Sequence, residues 1–565
     1  MPKLTIDGKT IEVAPGTRVI EAAKKIDVDA PYYCYHPGLS IAGNCRMCLV
    51  EVEKMPKLQI ACHLQAAEGM VVRTNSEKVL KTRQHVLEFL LVNHPLDCPV
   101  CDQAGECWLQ DYYMKHGLYD SRVSEDKIKK PKAVPIGPTV MLDAERCILC
   151  SRCVRFCDEI SKTSELGMIN RNDHSEISVF PGKELNNAYS GNVVDICPVG
   201  ALTDRDFRFK MRVWYLKEKD SVCNGCSRGC NIQAHYNLDR PHHTGGAGIR
   251  IPAQPSSTQT GGLGCGGERV MRLKPRYNEQ VNQWWMCDEG RYGYKYHDQN
   301  RILKPRRRDG AAVREAGWDE MLAEAAKKIT HAGERVAVLA SPQLSNEELF
   351  LIRELFRGKL NLKHIHLVSP HAEGAQDDFL IRADKNPNTR GAEALGFSQD
   401  PKALADLAGK ISKGELSGLI VFGQDIYDRF AKLGLKADLN KMEWTLFIGP
   451  NQHLTAESSA FVFPSATHFE KEGTFTNFEG RIQKFSKVLE PLGEARPEWQ
   501  IILELAVRLG FVFHYKEIAD VFHELALREA FFQGKSYESL SSEGSDIRTM
   551  GSPTIPDLQQ YDNIL

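Results

Sequence analysis

The sequence predicts a multidomain chain, α+β through its first half and α/β through its second, and three observations lead there. At 565 residues it exceeds one ordinary core, since a domain usually takes ~100–200 residues. All 17 cysteines fall between Cys34 and Cys287, which separates a cysteine-bearing half from a cysteine-free one. From Arg301 onward, short apolar runs alternate with helical segments, the pattern of a mainly parallel sheet.

Residues 1–77 open with KLTIDG and TIEVAP, which alternate like strands. A short helix is expected near Val19–Lys25, then a cysteine-bearing loop and a return strand at Met47–Val52, which together suit a small β-grasp unit. Residues 78–120 read as a helix ending near His94, with Val79, Leu80, Val86, Leu87, Leu90 and Leu91 at mixed three- and four-residue spacings, followed by a Pro/Cys/Gly-rich loop. The stretch RVSEDKIKKPKAVPIGP from Arg122 reads as a connector. Residues 140–215 form one cysteine-rich unit and 216–300 another, the second split by a Gly/Ser/Thr/Pro-rich insertion at 241–267. In 301–535, RVAVLA, HIHLVS, LSGLIVFG and WTLFIG read as strands and NEELFLIRELFRG as a helix. The polar residues 536–565 are expected to be a tail that orders only against a partner.

Composition excludes several classes of function. A formal charge of -2 argues against nucleic-acid partners and against an electrostatically held membrane surface. No apolar run approaches the ~18 residues of a membrane span. The longest conspicuous one, HVLEFLLVN, is broken by Glu88, so membrane association is expected to run through partner subunits. The opening MPKLTIDGKTIEV has neither a signal core nor transit-peptide character, so a cytosolic chain that begins in folded structure is expected. In a reducing cytosol, clustered Cys-x2-Cys patterns point to metal sites rather than disulfides.

Four constellations carry that chemistry. Cys34, Cys45, Cys48 and Cys62, with gaps of ten, two and thirteen, pair a Cys-x2-Cys with two outliers, as in [2Fe–2S] proteins, although the plant-type first gap is four. Four thiolates also satisfy tetrahedral zinc. HPLDCPVCDQAGEC places His94, Cys98, Cys101 and Cys107 at gaps of three, two and five. A neutral imidazole replaces a thiolate on iron in Rieske centres, and His94 completes an otherwise three-cysteine set. CILCSRC with DICPVG supplies Cys147, Cys150, Cys153 and the distant Cys197, the bacterial [4Fe–4S] spacing. CNGCSRGC supplies Cys223, Cys226 and Cys230 and needs one ligand more, from Cys265 or Cys287. Cys265 lies in the flexible run GGLGCGG, whereas Cys287 follows WWM, which excludes water, and precedes DEGRYG, whose glycines permit a tight turn with amides near sulfur. Cys287 is therefore the expected ligand, and the extra sequence distance costs little entropy. Four sets of four leave Cys157 and Cys265 over, and Cys157 is expected to be a small buried hydrophobe.

In this order the motifs resemble the large iron–sulfur subunit of bacterial NADH:quinone oxidoreductase, complex I. The wide first gap matches the N-terminal ferredoxin-like domain of that family and of iron hydrogenases. CDEGRYG resembles the segment bearing the last cluster cysteine of molybdopterin-dependent dehydrogenases. FPSATHFEKEGTFTNFEGRIQ from Phe463 and RPEWQIILELAVRLG from Arg496 resemble the molybdopterin oxidoreductase fold. The resemblance implies one [2Fe–2S] and three [4Fe–4S] clusters, no molybdopterin, and a C-terminal domain that is a structural relic. It also implies partners: an FMN-bearing NADH-oxidising flavoprotein, a small thioredoxin-like [2Fe–2S] subunit, a two-cluster ferredoxin-like subunit and the quinone module. The place implied is the cytoplasmic side of the bacterial inner membrane, peripherally. An NAD-linked or iron hydrogenase and a formate-dehydrogenase-like enzyme are the rivals. Their active sites normally need a further cysteine or selenocysteine, and residues 288–565 contain no cysteine.

Overall fold

The computed structural model describes residues 1–237, 268–310, 312–541 and 543–544. The 241–267 insertion, with Cys265, and most of the expected tail lie outside the described residues. The described residues divide into two compact units, Met1–Leu216 and those from Lys217 onward.

In the first unit, five strands make a mixed sheet in the order Lys9–Glu12, Lys3–Ile6, Val71–Arg73, Leu49–Val52, Gln59–Ile60. Lys3–Ile6 and Val71–Arg73 pair in parallel at the centre, and the other neighbours are antiparallel. Alternation sends Leu4, Ile6, Val50, Val52 and Val72 to one face, where they meet Val19, Ile20, Ala22 and Ala23 of the helix Val19–Lys24. This is the expected β-grasp arrangement, and it holds the loop bearing Cys34, Cys45 and Cys48 against the return strand.

The next helix runs Glu77–Leu91 and stops short of His94, because a residue before Pro95 is disfavoured in helical conformation. A second helix, Trp108–His116, stands where only a loop was expected. Only Leu109 of it is fully buried, so it carries almost no periodic signal. The connector from Arg122 contributes a two-residue strand, Val134–Pro135, to a three-stranded sheet with Val140–Leu142 and Leu202–Asp204. One apolar cluster then gathers Tyr33, Met47, Leu87, Cys107, Leu109, Val199 and Ala201 with the half-buried Cys45, Cys147, Cys150 and Cys197.

The second unit begins with an antiparallel sheet of Lys217–Val222, Asn231–Tyr236 and Val270–Pro275. Its main body is a seven-stranded sheet in the order Ala312–Glu315, Arg306–Asp309, Phe461–Pro464, Trp444–Gly449, Gly418–Phe422, Val336–Ala340, His364–Leu367. The last five are parallel, as the alternation of strands and helices predicts. Arg306–Asp309 and Ala312–Glu315 form an antiparallel hairpin at the sheet's edge that the sequence hides, because its polar strands bury little. Val338, Ala340, Ile420, Phe422, Leu446 and Ile448 face one core, whereas Ala337, Leu339, Leu419, Val421 and Phe447 face another. Burial on both faces explains why these strands read as continuous apolar runs. NEELFLIRELFRG is helical throughout, but its α-helix Asn346–Ile352 passes into a π-helix at Arg353–Lys359.

Candidate metal centres

The loop from Cys34 to Cys48 curls through left-handed positions at Gly43 (φ 59°) and Arg46 (φ 60°), which turns its cysteines inward. The thiols converge: Cys34 shares side-chain hydrogen bonds with Cys45 and Cys62, and Cys48 shares one with Cys62. These bonds push Cys34 and Cys48 down and Cys45 and Cys62 up, because few protons serve four sulfurs. The Tyr33 N–H donates to Cys45 Sγ at 3.5 Å.

His94, Cys98, Cys101 and Cys107 line one cavity of about 400 Å³. Cys107 caps the helix Trp108–His116, and Cys98 opens a 3-10 turn, Cys98–Val100. Cys101 and Cys107 are buried, whereas Cys98 is exposed. Burial, with Arg146 and then Lys127 adding repulsion, holds the His94 imidazole down to about 4. It is therefore a neutral electron-pair donor at physiological pH, and its buried Nδ1 has no hydrogen-bond partner. Gly200 lies against the same site: a Cβ there would stand 2.2 Å from Cys101 Sγ.

Cys147, Cys150, Cys153 and Cys197 line a second cavity, walled by Leu142, Ile148, Val199 and Leu202. Leu149 (φ 55°) and Ser151 (φ 62°) take left-handed backbone, wrapping the loop so that successive cysteines face one space. The Leu149 N–H donates to Cys147 Sγ at 3.4 Å. Burial pushes the Cys147 thiol up to about 12 and Cys197 to about 11. Cys157, on the helix Arg152–Glu159, is buried but does not line this cavity.

Cys223, Cys226, Cys230 and Cys287 line a third cavity, closed by Met286, Leu380 and Ile381. The first three lie in the turn between Lys217–Val222 and Asn231–Tyr236, and Cys287 caps the helix Asp288–Tyr292. Gly225 N–H donates to Cys223 Sγ at 3.4 Å and Gly290 N–H to Cys287 Sγ at 3.3 Å. A Cβ on Gly290 would stand 3.0 Å from Cys223 Sγ, so this glycine keeps the space open. Burial raises all four thiols, Cys287 to about 12. Lys385 and Glu289, paired at 2.7 Å, also line it.

Among the described residues, no three His, Cys, Asp or Glu side chains crowd together as ligands of a single ion would. In the three cavities the donors stand around a space rather than about a single point. Soft thiols, backbone N–H groups aimed at sulfur and glycines that leave the sulfurs room suit iron–sulfur clusters. Arg146, Gly200, Leu380, Ile381 and Lys385 complete these sites without any sequence signal, each reaching them from a distant segment.

The fold and its sites define an iron–sulfur oxidoreductase subunit carrying a molybdopterin-oxidoreductase-type α/β domain. Residues 2–77 match the family described as a 2Fe-2S iron-sulfur cluster binding domain, and 83–122 the NADH-ubiquinone oxidoreductase-G iron-sulfur binding region. Residues 137–203 match the ferredoxin-like domain of NADH-quinone oxidoreductase subunit 3, and 385–508 molybdopterin oxidoreductase. The G subunit of the NADH-quinone oxidoreductase of Rickettsia bellii is 39% identical over 90% of this chain and 86% of its own. Its counterpart in Rickettsia conorii is 38% identical over 96% and 94%. The mitochondrial NADH-ubiquinone oxidoreductase 78 kDa subunit of Candida albicans is 29% identical over 92% and 84%. The chain belongs to the family of NADH-quinone oxidoreductase G subunits. A chain of an NAD+-reducing [NiFe]-hydrogenase is 30% identical over 38% of this chain and 91% of its own, with a TM-score of 0.34. No helix among the described residues is long and apolar enough to cross a membrane.

Proposed function

We propose that this chain is the electron-relay subunit of an NADH:quinone oxidoreductase, with one [2Fe–2S] cluster and three [4Fe–4S] clusters. Cys34, Cys45, Cys48 and Cys62 hold the binuclear cluster. His94 with Cys98, Cys101 and Cys107, then Cys147, Cys150, Cys153 and Cys197, then Cys223, Cys226, Cys230 and Cys287 hold the others. The domains are 1–77, 78–120, 140–215, 216–300 and 301–535, with the tail from 536. Its partners are an FMN-bearing NADH-oxidising subunit, a small thioredoxin-like [2Fe–2S] subunit, a two-cluster ferredoxin-like subunit and the quinone module, on the cytoplasmic side of the inner membrane. In the whole complex, electron flow from NADH to quinone is coupled to proton translocation.

One observation carries the relay reading: cysteines of three constellations share a single apolar cluster around Tyr33, Met47, Leu87, Val199 and Ala201. Clusters bound there supply one-electron carriage at potentials set by ligand type, hydrogen bonding and burial. The protein's own residues do the rest. Apolar side chains exclude water, and N–H groups of Tyr33, Leu149, Gly225 and Gly290 stabilise negative charge on sulfur. The neutral imidazole of His94 leaves its site one charge less negative than a four-thiolate one. Over nine-tenths of the chain, the relatives named above are NADH-quinone or NADH-ubiquinone oxidoreductase subunits, which disfavours formate dehydrogenase and hydrogenase.

Metal analysis with paramagnetic resonance on the dithionite-reduced chain tests this. About fourteen iron atoms, one binuclear and three tetranuclear signals are expected. Stoichiometric zinc with little iron after anaerobic reconstitution would sink the proposal.

A further inference from the structure

Arg146 belongs by its backbone to one constellation and by its side chain to another. It immediately precedes Cys147, yet it lines the cavity of His94, Cys98, Cys101 and Cys107. Only 5% of it is exposed. Two carboxylates hold it: Nη2 and Nε donate to Asp97 Oδ2 at 3.0 and 3.3 Å, and Asp143 Oδ2 lies 3.4 Å from Nε. Lys132 in turn pairs with both Asp97 and Glu145, so the network around the guanidinium is braced from a second side. The remaining nitrogen, Nη1, is buried and has no hydrogen-bond partner.

A buried, charged donor without an acceptor is costly, and a fold that pins the other two nitrogens this firmly retains it against that cost. Gly200 lies between the arginine stem and the sulfur of Cys101. The point where a Cβ on Gly200 would stand is 2.2 Å from Cys101 Sγ and 3.7 Å from Arg146 Cδ. Those two distances bound the separation of the arginine stem from the sulfur. The guanidinium interacts electrostatically with both Cys101 and His94.

We propose that Arg146 donates a charge-assisted hydrogen bond from Nη1 to the sulfur side of the His94/Cys98/Cys101/Cys107 centre and thereby raises its reduction potential. This rests on the ligand assignment made under the proposed function. Each electron accepted from the NADH-oxidising side adds one negative charge beside a guanidinium that stays protonated. No bond forms or breaks and no proton moves. Arg146 and the neutral His94 then act in the same sense, both favouring the reduced state, in a site whose Cys98 is exposed.

The test is a redox titration followed by paramagnetic resonance on the full chain carrying Arg146→Gln or Arg146→Lys. With iron content unchanged, the signal of this centre is expected to titrate at a more negative potential in Arg146→Gln. A smaller shift is expected in Arg146→Lys, which keeps the charge but loses the fork, and the other three signals stay in place. An unchanged midpoint in an Arg146→Gln chain with full iron overturns the proposal. Should Arg146→Gln fail to retain its iron, the parent protein labelled with 15N-arginine decides. Hyperfine coupling to this centre that is absent in labelled Arg146→Lys supports the hydrogen bond, and equal coupling in both overturns it. His94→Ala, run in parallel, separates the premises: if it leaves all four signals intact, the ligand assignment falls and takes this proposal with it.

Discussion

The cysteine-bearing part of the chain and the cysteine-free α/β domain both bury groups that water would rather solvate, and they compensate in different ways. Around Cys147 and Cys223 the buried groups are thiols that burial raises in spite of one backbone N–H donor each, and a metal centre is what would stabilise their charged form. In the α/β domain the compensation is built from protein alone. Lys471 Nζ donates to Glu348 at 2.8 Å and to Glu498 at 2.6 Å, all three buried, and Ser465 Oγ donates to Glu498 at 2.9 Å. The difference teaches that one part of the molecule leaves its buried groups to be compensated from outside the protein, whereas the other compensates them with its own side chains.

The largest expected break in this comparison is removal of iron. Chelation of the reduced chain should abolish hydrogen-exchange protection in the cysteine loops, because metal-binding energy there is folding energy. The strands Val336–Ala340 and Gly418–Phe422 should keep theirs. Native protection of the loops without iron would show that both parts are self-sufficient.

Next in size is Cys287→Ala, which should remove one tetranuclear signal and about four iron atoms per chain while Cys265→Ala removes none. The opposite pattern, read by the same metal analysis, would mean that the insertion supplies the ligand.

Within the α/β domain, Lys471→Met leaves Glu348 and Glu498 buried without their cation. Breaking a buried pair of this kind costs about 3–5 kcal/mol. Slowed-exchange amides of Gly418–Phe422 should lose protection accordingly, with iron content at the parent level. An equal loss of iron would show that the two parts are not independent.

A smaller effect follows from Glu347, whose carboxylate accepts from Thr474 N and Oγ1 at 3.0 and 2.8 Å. Burial pushes its carboxyl from the ordinary 4.5 up to about 7. The folded value lies above the unfolded one, so this group's contribution to stability is full below pH 4.5 and declines as pH rises through 7. Glu347→Gln should flatten that slope in denaturation measured from pH 5 to pH 8, by at most about 3 kcal/mol. A slope unchanged by the substitution would place the titration elsewhere.

The finest distinction lies inside the cysteine-bearing part. His94→Cys should keep its cluster but lower the midpoint, on the order of 100 mV, since thiolate adds charge where imidazole was neutral. A midpoint that does not move would mean that His94 lies beside the centre rather than on it.

The sequence by itself determined the β-grasp opening and the parallel strands and marked the candidate donors, because each is written in local spacing. Cysteines separated by two or three residues are spaced so that they can face one space, and runs such as LSGLIVFG are apolar on both faces because both are covered. Tertiary structure alone decided what surrounds the donors. Gly200 reaches Cys101 across ninety-nine residues, Leu380 and Ile381 close the cavity of Cys223, and Lys471 meets a carboxylate 123 residues away. The helix Trp108–His116 and the polar hairpin Arg306–Asp309 with Ala312–Glu315 stayed hidden for a related reason: they bury too little for periodicity to mark them. Spacing reports what a residue's near neighbours require, whereas charge compensation and access to a buried sulfur depend on chain segments that only packing brings together.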